Sequence, residues 1–124
     1  MNRPTPPTQS RRLLSALRYS WQGLKTAWTH EAAFRQEVGV LVLSLPLAFW
    51  LTDHPVERVL LIGSIMLILI VELINSAIET ALDRVSAEPH PLAKQAKDLS
   101  SAAVFSTLLL AFFTWLLILT GKFL

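Results

Sequence analysis

Three stretches of this chain are almost free of charge over lengths that match a lipid bilayer, and that leaves few folds open. Val38 to Thr52 is apolar apart from Gly39, Ser44 and Pro46, and with Ala32, Ala33 and Phe34 in front it reaches the ~20 residues a helix needs to span. Val59 to Val71 and Ser101 to Thr120 are the other two. A backbone in hydrocarbon has no water to bond, so such runs form helices. Hydrophobic residues make up 52% of the chain and charged ones 16%, well below the ~25% charge of a soluble domain. The expected class is an all-α membrane protein, in which any chemistry must be built on the membrane helices themselves.

Thr52, Asp53, His54 and Pro55 form a polar turn after the first run. Val56 to Val85 then follows as one helix of about 45 Å, longer than the ~30 Å hydrocarbon layer, so its last turns should project from it. Pro89 and Pro91 mark a second connection, and Pro91 suits the first turn of a third helix. The spans are expected at about 31–52, 56–85 and 91–121, with Thr29 as N-cap of the first.

Residues 1–10 hold Pro4, Pro6 and Pro7 among polar residues and form a leader expected to stay disordered, ahead of one domain over 11–124. No signal peptide is expected, since the first long apolar run starts only near Val38. Across 11–28, Leu13, Leu14, Leu17, Trp21, Leu24 and Trp28 fall within an arc of about 100°. Arg11, Arg18 and Lys25 flank that arc. A stripe with tryptophans and bordering cations predicts an amphipathic helix lying in the headgroup plane. Basic residues crowd the N-terminal segment and the Arg84 to Lys97 connection and are absent from the Asp53 to Glu57 turn. Both basic segments, and with them the N-terminus, are expected on the cytoplasmic side.

Polar residues interrupt this pattern where the second helix leaves its apolar section. With Glu72 as origin, Asn75, Glu79 and Asp83 lie at about −60°, −20° and +20°, one narrow stripe. An acidic side chain at the bilayer centre costs on the order of 2.5–3.5 kcal/mol, so Glu72 is a functional candidate, whereas Asp83 fits a solvated helix end. On the third helix Lys94, Lys97, Asp98 and Ser101 share a face that can meet this stripe. Spacing alone leaves open a charge-paired bundle without catalysis.

Several chemistries are excluded. With no cysteine there is neither a disulfide framework nor a Cys-zinc site. His30-Glu31 opens like a zinc-protease helix, but Phe34 stands where its second histidine belongs. Gly23, Gly39, Gly63 and Gly121 form no phosphate-binding glycine loop, so phosphate handling would rest on side chains and metal ions. A net charge of +2 is too small to imply nucleic acid.

Three segments resemble a known family: Tyr19-Ser20-Trp21-Gln22-Gly23-Leu24 continuing to Glu31-Ala32-Ala33-Phe34-Arg35-Gln36-Glu37; Val71-Glu72-Leu73-Ile74-Asn75-Ser76-Ala77-Ile78-Glu79; and Ala96-Lys97-Asp98 with Ser101-Ala102-Ala103. They look like the prokaryotic integral-membrane diacylglycerol kinases. The resemblance implies a homotrimeric helical bundle in the bacterial inner membrane, with sites shared between subunits. It also implies transfer of the γ-phosphoryl group of MgATP to diacylglycerol, giving phosphatidate.

By position, the resemblance makes Glu72 the proton acceptor and a lipid contact, and Glu31 and Glu79 the carboxylates for the divalent cation. ATP contacts are implied at Arg12, Tyr19, Glu31, Glu79, Glu88, Pro89, His90, Lys97 and Asp98. Pro89 departs from the pattern, standing where the family often has an aromatic residue. Lipid contacts are implied at Arg12, Ala16, Leu17, Arg18, Tyr19, Ser20, Trp21, Lys25, Thr26, Ala27 and Trp28. Further ones are implied at Ala33, Phe34, Arg35, Gln36, Glu37, Trp50, Arg58, Ser101 and Trp115. Asn75 and Asp83 are supporting residues, Asn75 as an organiser of metal or phosphates. An undecaprenol kinase of the same family is the alternative, with Pro91-Leu92-Ala93-Lys94 resembling that branch. A non-enzymatic membrane scaffold is the alternative outside it.

The surface-helix expectation has a direct test. Replacing Leu17 and Leu24 with Asp should lift the helix from a bilayer and open Arg18 and Lys25 to trypsin. Continued protection in vesicles would mean burial against protein instead.

Overall fold

A computed structural model of the chain describes residues 3–6, 8–85 and 88–124. Four helices follow one another: α1 Gln9–His30, α2 Ala32–Leu51, α3 Pro55–Val85 and α4 Pro91–Phe123. The last three are each long and apolar enough to cross a membrane, as their hydropathy predicts. Of the expected leader, Met1, Asn2 and Pro7 lie outside the described residues, and α1 begins at Gln9.

A single residue separates α1 from α2. Glu31, at φ −115° and ψ 104°, is extended backbone that ends one helix and starts the next. The expected N-cap at Thr29 is therefore corrected: α1 runs on past it, and the Thr29 hydroxyl donates back to the Lys25 carbonyl at 2.8 Å. α4 starts as its proline implies, with Pro91 in the first turn and His90 Nδ1 accepting from the Leu92 N–H at 3.1 Å.

The α2–α3 turn is closed by side chains. The Thr52 hydroxyl accepts from the His54 N–H at 3.1 Å and donates to Glu57 Oε2 at 2.6 Å. Lys122, in the last turn of α4, reaches the same oxygen at 2.9 Å. Arg58 donates from Nε to the Thr52 carbonyl at 2.8 Å, and its guanidinium lies 4.3 Å from the Phe49 ring centroid. The ends of α2 and α4 are thus tied to the start of α3. Glu57 also suits the positive N-terminal end of that helix.

α3 is the shared wall, packing against both α2 and α4, while α1 packs on α2. Ala27, Phe34 and Leu69 form one small core and Ile65, Ile68 and Ala111 another, with Leu41 against both. Leu61 is fully buried, and its carbonyl accepts from Trp115 Nε1 at 3.1 Å. The other side of α3 is open: Val59, Met66, Ile70 and Ile74 are exposed on one face. So are Leu13, Leu17, Trp21, Leu24 and Trp28 of α1. Apolar exposure on this scale suits lipid or protein contact rather than water.

Because the Glu57–Lys122 pair joins the ends of two helices, Lys122→Ala should lower stability, modestly as for a solvent-screened pair. Detergent-titrated unfolding checks this. A double-mutant cycle with Glu57→Gln that finds no coupling would mean the pair contributes nothing.

Candidate active site

At the other end of α3 the charge balance reverses. Glu72 is 7% exposed, buried against the surrounding helices. Glu31 at the α1–α2 elbow and Glu79, two turns further along α3, both act on it through their charge. Glu72 in turn acts on Glu37, which stands on α2. Four carboxylates from three places in the chain therefore share one region. None of them is seen in an ion pair among the described residues, whereas Asp53, Glu57, Asp83 and Asp98 each are. Glu37 Oε2 and Asn75 Oδ1 are buried and have no hydrogen-bond partner among the described residues.

Clustered carboxylates repel one another, and orphaned buried oxygens lose hydration that nothing in the chain replaces. An all-oxygen donor set of this kind fits a hard divalent cation such as Mg²⁺. Among the described residues no three His, Cys, Asp or Glu side chains converge closely enough to hold a metal alone. Mg²⁺ is commonly held by one or two carboxylates, with water and substrate phosphates completing its shell. Glu31 and Glu79 are the pair that would hold it.

Beside this cluster, a groove of about 920 Å³ is lined by Leu82, Asp83, Glu88, Pro89, His90, Pro91, Ala93, Lys94 and Lys97. Lys97 reaches across to Asp83 at 3.1 Å, as the facing stripes predict. Lys94 turns instead to Asp98 on its own helix, at 2.7 Å. A four-residue step along a helix is a shorter reach than crossing to α3.

The remaining sequence candidates are spread along the molecule. Arg12, Ala16, Leu17, Ser20, Lys25, Thr26 and Trp28 are on α1, outside the lining of that groove, with Arg18 stacked on Tyr19 and Lys25 on Trp21. Ala27 and Phe34 are buried in the small core, whereas Ala33, Gln36 and Ser101 are exposed. Trp50 is 79% exposed near the closed end, beside the turn that Arg58 clamps. Arg58 and Glu72 are separated by roughly 20 Å along α3. Trp115 is engaged with the Leu61 carbonyl. The candidates that come together are thus the carboxylates and the Asp83–Lys97 groove.

The sequence profile of the prokaryotic diacylglycerol kinases matches residues 18–119. This chain belongs to that family. It is 47% identical to the diacylglycerol kinase of Escherichia coli K12 over 112 residues, covering 90% of this chain and 92% of that one. Identity to the diacylglycerol kinase of Pseudomonas aeruginosa is 50% over 114 residues, covering 92% and 93%. With that of Helicobacter pylori J99 it is 47% over 105 residues, covering 85% and 82%.

Within this diacylglycerol kinase family member, the sequence pattern missed how Glu37 joins the carboxylates. Its number places it on α2, and only the packing of α2 against α3 brings it toward Glu72. The bond from Arg35 to the end of α1 was likewise not visible in the pattern.

If Glu31 and Glu79 hold the cation, Glu31→Gln or Glu79→Gln should raise the Mg²⁺ needed for half-maximal turnover by on the order of tenfold or more. A Mg²⁺ titration with an unchanged midpoint would remove that role.

Proposed function

We infer that this chain is an ATP-dependent lipid kinase that moves the γ-phosphoryl group of ATP to the free hydroxyl of diacylglycerol, forming phosphatidate and ADP. The observation that carries it is the buried Glu72 carboxylate, flanked by Glu31 and Glu79, in a member of this family. Phosphoryl transfer asks a protein for positioning, charge neutralisation and a group that takes the hydroxyl proton.

Glu72 takes the proton from the lipid hydroxyl as its oxygen bonds to the γ-phosphorus, and the bond from that phosphorus to the β–γ bridging oxygen breaks. Glu31 and Glu79 hold the divalent cation, with Asn75 beside them as an organiser. Bound Mg²⁺ supplies positive charge to the phosphate oxygens. Lys97 adds a cation from α4, and the groove at Glu88, Pro89 and His90 receives the nucleotide together with Asp98. Arg12 and Tyr19 of α1 reach the nucleotide as well. The position of Glu72 at the polar limit of an apolar helix suits an alcohol whose acyl chains stay in lipid.

The same reading gives orientation and assembly. The basic N-terminal segment and the 84–97 connection lie in the cytoplasm of a bacterium, with the spans in its inner membrane. α1 rests in the headgroup layer through Leu17, Trp21 and Trp28. The enzyme is a homotrimer with sites shared between subunits. Support comes from the open face of α3 and from the incomplete metal set of one chain. Small residues at Ser76, Ala77 and Ser101 to Ala103 permit close helix approach.

The test is a vesicle assay with labelled ATP and Mg²⁺, offering diacylglycerol and undecaprenol side by side. Labelled phosphatidate is expected, and Glu72→Gln should lower turnover about a hundredfold or more while ATP still binds. Preferential labelling of undecaprenol would move the chain to the alternative substrate. Near-parental turnover of Glu72→Gln would reassign it to positioning.

Mixing inactive Glu72→Gln with inactive Lys97→Ala subunits should restore part of the activity if those groups meet across chains. Additive behaviour at every ratio, for all pairings among Glu31, Glu72, Glu79 and Lys97, would mean each chain carries a complete site.

A further inference from the structure

The α1–α2 elbow consists of one residue, and that residue is Glu31. Its backbone is shared between helices: its N–H donates to the Ala27 carbonyl at 2.9 Å, and its carbonyl accepts from the Arg35 N–H at 3.3 Å. The last carbonyls of α1 have no partner within the helix. Arg35, one turn into α2, supplies one. Its Nη1 donates to the Trp28 carbonyl at 2.6 Å and to the Thr29 carbonyl at 3.3 Å. A guanidinium at this point also meets the negative end of the α1 dipole.

We propose that Arg35 is a positioning residue for the phosphoryl-transfer site: by clamping the C-terminus of α1 it fixes the elbow angle and so holds Glu31 toward Glu72 and Glu79. This rests on the kinase reading above for the role of Glu31, but the clamp itself stands on geometry alone. Without the clamp, the elbow is left to the small Ala27–Phe34–Leu69 core and to the single backbone hydrogen bonds on either side of Glu31, so the two helices pivot more freely there. A carboxylate at the pivot then moves relative to α3. Arg35 makes both contacts through one nitrogen, Nη1, held in the plane of a rigid guanidinium. The ammonium of lysine also carries enough donors for two carbonyls, but it sits on a more flexible stem that fixes the angle less well.

This differs from a lipid contact, the role the family resemblance attaches to the same position. A lipid contact affects the apparent affinity for diacylglycerol; a clamp affects the metal and the interhelical distance. The absence of cysteine allows site-specific labelling without background.

Spin labels at Gln22→Cys and Val42→Cys, on exposed positions of α1 and α2, should give one narrow distance distribution in the full chain in vesicles. Adding Arg35→Ala should broaden it, and Arg35→Lys should restore part of the narrowness. Mn²⁺ affinity, measured by its paramagnetic signal with a non-hydrolysable ATP analogue present, should fall about tenfold in Arg35→Ala and less in Arg35→Lys.

An unchanged distance distribution in Arg35→Ala overturns the proposal, as does unchanged Mn²⁺ affinity. A raised KM for diacylglycerol with both of those unchanged assigns Arg35 to the lipid instead. If the parent chain fails to phosphorylate diacylglycerol, the kinase reading falls, and the distance measurement still decides the clamp.

Discussion

A helix longer than the bilayer is thick governs this molecule. α3 has 31 residues, Pro55–Val85, about 46 Å of helix against ~30 Å of hydrocarbon. The surplus lets one continuous element carry Leu61, Ile65 and Ile68 at apolar depth and Glu72, Asn75, Glu79 and Asp83 at its emerging end. Both other spans pack on it, so each shares its rigidity. A carboxylate on such a helix is held in place by a hydrogen-bonded rod rather than by a loop, which is what positioning chemistry requires.

The two ends of the bundle treat charge in opposite ways. At the closed end Glu57 meets Thr52 and Lys122, and Arg58 satisfies carbonyls at the end of α2. Charges there are paired, and three helices are joined. At the other end Glu31, Glu37, Glu72 and Glu79 lack cationic partners among the described residues, and Glu37 and Asn75 have buried oxygens without donors. The Asp83–Lys97 pair and the bond from Arg35 to the end of α1 oppose that repulsion locally. Under the proposed function the repulsion has a use, because carboxylates left unpaired are available to a cation that arrives with ATP.

Much of this was legible along the chain because it depends on local periodicity. Helix ends at Pro55 and Pro91, the stripe from Glu72 to Asp83 and the reach of Lys97 all follow from a repeat of about 3.6 residues per turn. What periodicity does not contain is the angle between helices. Thr29 has the chemistry of an N-cap, but the chain bends only at Glu31, so the hydroxyl bonds within α1. Lys94 and Lys97 share a helix face about 60° apart, yet Asp98 lies within reach of one and Asp83 of the other. Glu37 and Arg35 gain their roles only once α1, α2 and α3 are folded against one another. The stripe of carboxylates on one helix was therefore visible in the periodicity, Glu31 came only through the family resemblance, and the approach of Glu37 from α2 was not visible.

The two faces of α3 differ in what covers them. Its inward face buries Leu61, Ser64, Ile65, Ile68, Leu69 and Glu72, while Val59, Met66, Ile70 and Ile74 on the opposite face are exposed. Lipid alone could cover that apolar face, since acyl chains are as apolar as leucine. Lipid cannot add the walls that a nucleotide and a headgroup need around Glu72, because acyl chains carry no donors for phosphate. The same helix thus presents a face that either lipid or protein can cover and an end that only polar groups can complete. A second copy of α3 and its neighbours satisfies both requirements at once, which is the physical ground for expecting the active site to be finished by another subunit.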